Sequence, residues 1–254
     1  MPGRTDNVDD PELARRLLVM RRGQAFWARK LNELRDDEFD APSLLPGWTR
    51  RHLIAHVGFN ARAVARLVEW ARTGVENPMY SSPDQRAEEI EFGATLPTEA
   101  LRNLAAHAAV HLNVEWRDLP ADAWAHEIRT AQGRLVPVSE TVWMRTREVW
   151  IHAVDLDNGA HVDDFPAELL DELLEDVVRV WRRKRADGDR DIVLEPDDRD
   201  ARYRILEDGS GDANGDPLVV RGSAVDLVGW GIGRSSRGVR LADGGTPPTA
   251  PPWL

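Results

Sequence analysis

Within the first 160 residues, apolar side chains recur every three or four positions along four long stretches, a periodicity that commits this part of the chain to helices. The first stretch covers about residues 11–35, with Leu13, Leu17, Met20, Trp27, Leu31 and Leu34 in helical register. The loop SLLPGW follows, and Thr49 is placed to cap a second helix running to about Arg72, which Gly74 and ENPMYSSPD end. A third helix is expected from about Thr98 to Leu119, carrying Leu101, Leu104 and Val110, and a fourth from about Ser139 to Val154. Helices of this length, so connected, predict an antiparallel four-helix bundle.

The pattern changes after Asn158-Gly159. PAELLDELLEDVVRVWRRKR reads as one more helix, stopped by Ala186-Asp187-Gly188. Three strand-like pieces, DIVLEP, ARYRIL and PLVVRG, then alternate with Asp/Gly-rich turns. Residues 223–233 read as a helix and GVRL as a last strand, before an extended TPPTAPPWL that Trp253 is placed to pin down. The fold class expected is α+β: a helical domain over 1–160 and a smaller α/β domain over 161–254.

No apolar run approaches the roughly 20 residues needed to cross a bilayer. The polar start MPGRTDNVDDPEL lacks the apolar core of a secretory signal, so a cytoplasmic protein is expected. A net charge of −11 argues against nucleic-acid binding, which requires a basic face. The chain has no cysteine, so any metal must sit on His, Asp or Glu and any thiol must come from outside. With no sustained heptad, a monomer is expected.

Two helical faces carry polar groups where apolar neighbours predict burial. His52, His56 and Asn60 are spaced i, i+4, i+8 on the second helix, among Leu53, Val57 and Val64. Glu148 and His152 are four apart on the fourth helix, among Val149, Trp150, Ile151 and Val154. Burying a carboxylate and imidazoles is costly unless they are paired or bind a metal. Two imidazoles and one carboxylate leave a coordination position open, as catalytic zinc sites do, although a nitrogen/oxygen set also admits other divalent ions. Spacing alone leaves two matters open: whether His52 or His56 takes part, and whether Glu148 instead pairs with Arg145 or Arg147.

The run SLLPGWTRRHLIAHVGFNA (43–61), followed by SETVWMRTREVWIHAVDLD (139–157), resembles the mycothiol-dependent maleylpyruvate isomerase family, DinB-like metal-binding helical bundles. The resemblance extends to NPMYSSPDQRAEEIEFGATL (77–96), TAQGRLVPVSET (130–141) and the terminal PPWL, and is looser across 160–230. It implies that His56, Glu148 and His152 bind Zn²⁺ and that Arg234, in GIGRSSRG, reaches the active site from the second domain. It implies mycothiol as thiol cofactor and a small dicarboxylate as substrate, with no nucleic-acid or membrane partner. Conversion of maleylpyruvate to fumarylpyruvate is the activity implied. A mycothiol S-transferase and a non-catalytic metal-binding module are the competing readings.

Other residues compete for roles. His107 and His111 form a second i, i+4 pair, whose alanine and valine flanks predict a core or interhelical hydrogen-bonding role. His126 and His161 stand in polar loops and are expected to be solvated. Asp155 or Asp157 is placed to orient an imidazole, with solvation at the helix end the equal alternative. Arg86 matches a family position that suits a substrate carboxylate, with a surface ion pair to Glu88 or Glu89 as the plainer reading. Trp27, Trp143 and Trp150 are expected in the core.

Overall fold

The computed structural model describes residues 5–186, 189–206 and 216–253. The Asp187-Gly188 stop and most of the Asp/Gly-rich segment after Leu206 lie outside them. The chain forms two compact units, the first ending at Ala160 and the second starting at His161. With seven helices and two small sheets among the described residues, it is a mixed α+β protein. No described helix is long and apolar enough to cross a membrane.

The first unit is built on α1 (Pro11–Glu33), α2 (Arg50–Thr73), α4 (Thr98–Asp118) and α5 (Glu140–Asp155), the four expected helices. α2 is the central one: Leu53, Ile54, Val57, Val64, Leu67 and Val68 are fully buried. It packs against α4, α5 and a short α3 (Gln85–Ala94). Gly93 seats α3, because a Cβ there would overlap Ala55 and Phe59 of α2. A two-stranded hairpin, β1 (Glu127–Arg129) with β2 (Leu135–Pro137), precedes α5. Neither α3 nor this hairpin is anticipated by the sequence pattern.

Two arginines fix how α2 lies against α5. Arg50, in the first turn of α2, donates from Nε to the Leu156 carbonyl at 2.7 Å and from Nη2 to that of Asp157 at 2.6 Å. These are carbonyls that the end of α5 leaves without helical partners. Arg145, near the start of α5, donates from Nη1 to the Val57 carbonyl at 2.8 Å. Early α2 thus meets late α5 and later α2 meets early α5, so the two run antiparallel.

In the second unit, α6 (Ala167–Lys184) buries Leu169, Leu170, Leu173, Leu174, Val177, Val178 and Trp181. This i, i+4 face packs on α7 (Ala224–Gly231). The sheet has the order β4 (Tyr203–Arg204), β3 (Ile192–Pro196), β5 (Leu218–Gly222), β6 (Arg240–Leu241), with β3 and β5 parallel and the outer pairs antiparallel. The proline-rich end is held by two tryptophans. Trp181 Nε1 donates to the Pro251 carbonyl at 2.9 Å, Trp230 Nε1 donates to that of Pro248 at 3.0 Å, and Trp253 is buried.

Candidate metal centre

α2 and α5 bring three of the sequence candidates together. His56 Nε2 lies 2.8 Å from Glu148 Oε2, and His152 Nε2 lies 3.1 Å from the same oxygen. The donor atoms of His56, Glu148 and His152 all fall within 4.8 Å of one another. The two imidazoles meet edge to face, with ring centroids 5.0 Å apart. His56 comes from α2, whereas Glu148 and His152 are one turn apart on α5 and share a face.

The protonation preferences show how tightly the three are coupled. Burial pushes His56 below its ordinary value, against the pull of Glu148. Burial acts to raise the Glu148 carboxyl, but the two imidazoles override it and hold the group well below the usual carboxylate range. Burial also opposes ionisation of His152, yet Asp155 and Glu148 outweigh it and raise its value to about 9. An anion facing two imidazoles, one of them charged, is an arrangement that a divalent cation replaces favourably: the ion displaces the shared protons and keeps the carboxylate compensated.

The supporting residues fit a metal as well. His152 Nδ1 lies 2.8 Å from Asp155 Oδ2, and Asp155 is fully buried. A carboxylate on the far nitrogen fixes the imidazole tautomer and turns Nε2 towards the cluster. The open choice between Asp155 and Asp157 is thereby resolved, since Asp157 is exposed and its carbonyl serves Arg50. Asp155→Asn is expected to weaken metal affinity by roughly 10- to 100-fold while the fold survives, read as a Kd in chelator competition. Unchanged affinity would make the contact with His152 incidental.

The helix start separates His52 from His56. The Thr49 backbone N–H donates to His52 Nδ1 at 3.3 Å, and Thr49 Oγ1 lies 2.7 Å from the same nitrogen. His52 therefore turns back onto the cap, and its Nε2 lies 3.7 Å from Glu91. Glu148 pairs with neither Arg145 nor Arg147 but with the two histidines. Asn60, one turn after His56, accepts from Arg145 Nη1 at 2.9 Å.

Arg86, on α3, is exposed and makes no ion pair with Glu88 or Glu89. Its guanidinium lies 6.0 Å from the Trp48 ring, and that ring packs against His56 at 5.5 Å. Its charge is close enough to help depress the His56 value, behind burial. Arg234 follows α7 in the second unit, half-buried, with Nη1 donating to the Ile232 carbonyl at 2.9 Å. Trp48 carries no chemistry that marks it in the sequence; its place in the loop leading into α2, eight residues before His56, is the signal available there.

The second histidine pair departs from expectation. His107 and His111 are exposed on α4, and His111 Nε2 lies 3.5 Å from Glu115. α4 turns Leu101, Leu104, Ala105, Ala108 and Leu112 inward, which sends both histidines and Val110 outward. His126 and His161 are exposed as expected, with His126 Nδ1 2.7 Å from the Ala71 carbonyl. Trp27, Trp143 and Trp150 are buried.

A helical unit with a His–Glu–His cluster between two helices, in a chain that also carries a small α/β unit, defines a class of candidate metal-dependent enzymes. Two family models divide the chain between them: the mycothiol maleylpyruvate isomerase N-terminal domain matches residues 20–157, and the MDMPI C-terminal domain matches 164–252. The chain belongs to the mycothiol-dependent maleylpyruvate isomerase family. Two crystal structures of a mycothiol-dependent maleylpyruvate isomerase, one of them a histidine-to-alanine mutant, are 44% identical in sequence. They superpose with TM-scores of 0.87 for the mutant and 0.86 for the other, covering 98% of this chain and 100% of theirs. No curated protein matches.

Proposed function

We propose that this chain is a zinc- and mycothiol-dependent isomerase that converts maleylpyruvate into fumarylpyruvate. The observation that most supports the reading is the convergence of His56, Glu148 and His152 in a chain with no cysteine of its own. These three residues would hold the ion, with α1, α2, α4 and α5 as an antiparallel four-helix bundle around it. Bound zinc would supply a Lewis acid that favours the thiolate over the thiol at neutral pH. The thiol supplies reversible addition to a double bond conjugated with a ketone, which frees that bond to rotate before the thiol departs.

The chain's own residues then have separate tasks. Asp155 keeps His152 in the tautomer that presents Nε2. Trp48 packs an apolar wall against His56 and excludes water from that side. Arg86, beside the cluster, receives one substrate carboxylate. Arg234 binds the other, or the oxygen on which negative charge develops, through the two-point geometry of a guanidinium. In an acidic protein these cations offset repulsion of a dianionic substrate. A cytoplasmic monomer acting on small molecules, without nucleic-acid or membrane partners, completes the proposal.

The test is cis-to-trans conversion of maleylpyruvate by the zinc-loaded protein, with and without mycothiol. Turnover is expected only with the thiol, alongside one zinc per chain. Release of a stable thiol conjugate would move the chain to S-transfer. Zinc binding without any thiol-dependent turnover would leave a metal-binding module.

A further inference from the structure

The helical unit contains a pocket of about 260 Å³ lined by α1, α4 and Arg145 of α5. Met20, Leu112 and Trp116 give it apolar walls, and Val110, 63% exposed, lies at its outer edge. Its polar lining is Arg21, Gln24, Asn113 and Arg145, with no carboxylate among the lining residues. Arg145 belongs to this pocket, whereas Glu148, about one turn along α5, belongs to the metal centre.

Arg145 is only 1% exposed, yet no carboxylate bonds its guanidinium among the described residues. Nη1 donates to the Val57 carbonyl and to Asn60 Oδ1, and Nη2 donates to Gln24 Oε1 at 3.0 Å. Nε has no partner. The hydrogen-bond acceptors of Arg145 are all neutral. The charge of Glu148, one turn along α5, offsets part of the cost of burying the guanidinium, and burial still lowers its value to about 10, so an anion reaching it would be stabilised.

The neighbouring amides reinforce that demand. Gln24 turns its oxygen to Arg145, and Asn113 turns its oxygen to Arg21 Nε at 2.8 Å, so both keep NH₂ groups as their available valences. Arg21 is itself closed on Asp6 through two bonds of 2.7 and 2.6 Å. One buried guanidinium N–H without a partner and two amide NH₂ groups, beside apolar walls, favour a ligand with a carboxylate at one end and hydrocarbon at the other.

We propose that this pocket binds a small monocarboxylate, its carboxylate directed at Arg145 and its apolar body against Met20, Leu112 and Trp116. The volume is below the roughly 300 Å³ at which pockets for drug-sized ligands begin, so the body is a single ring or a short chain.

Titration calorimetry of the zinc-loaded full chain with benzoate, hexanoate and the uncharged benzamide tests this. One-to-one binding of a carboxylate is expected, with benzamide weaker by about tenfold or more. Gln24→Glu places a carboxylate beside Arg145 within the chain; it is expected to weaken carboxylate binding by about tenfold or more and to raise the thermal midpoint. His56→Ala is expected to leave this binding intact, which separates it from coordination at the metal centre. The proposal is overturned by equal binding of benzoate and benzamide, or by no saturation into the millimolar range. Binding that survives Gln24→Glu but disappears in His56→Ala overturns it as well.

Discussion

His56→Ala is expected to remove metal and turnover together, whereas His52→Ala, one helical turn earlier, keeps both. His56 is one of only two imidazoles in the cluster and the sole donor from α2. Without it, α5 alone presents Glu148 and His152, too few ligands for a retained catalytic ion. Losing several kcal/mol of charge stabilisation corresponds to a fall in kcat/KM on the order of 10³-fold. His52, by contrast, bonds the helix cap, and losing such a contact costs about 1 kcal/mol of stability. Elemental analysis and turnover on both variants decide the matter. Metal retained in His56→Ala and lost in His52→Ala would move the site one turn along α2 and undo the assignment.

Arg234→Ala is expected to keep the metal and lose turnover by roughly 10²- to 10³-fold, the usual cost of removing a group that stabilises developing negative charge. The separation matters because Arg234 lies in the other compact unit from the three metal-site residues. Arg234→Lys is expected to recover only part of the loss, since an ammonium restores charge without the two-point fork. Steady-state kinetics with zinc content measured on the same samples checks this. Near-normal kcat and KM in Arg234→Ala would remove the residue from the reaction.

The long helices were legible because each sustains a 3.6-residue apolar period over four turns or more. α3 was not: it has ten residues, and of its apolar side chains Ile90 is buried while Phe92 faces solvent at 62% exposure. The β1–β2 hairpin escaped for a similar reason, with strands of three residues and a turn at Gly133. The apolar period marks α4 but leaves its rotation about the helix axis ambiguous. Its alanines fit either side of a helix, so HAAVH looked buried, while the leucines at 101, 104 and 112 were the residues that oriented it. The His56–Glu148–His152 cluster was legible down to its residue types and spacing. Spacing alone left His52 and His56 open; the family resemblance pointed to His56, and the cap contacts at Thr49, which spacing does not encode, are what turn His52 away.

The two helices that supply the cluster are distant in sequence: His56 and Glu148 are separated by 92 positions. An ion held between them, as proposed, would cross-link the folded chain with no comparable partner in the unfolded one, so occupancy would add to stability by mass action. Scarcity of that metal would then act on abundance as well as on specific activity. A cell short of zinc would degrade the empty protein faster, and its total capacity for the reaction would fall more steeply than the fraction of sites left vacant.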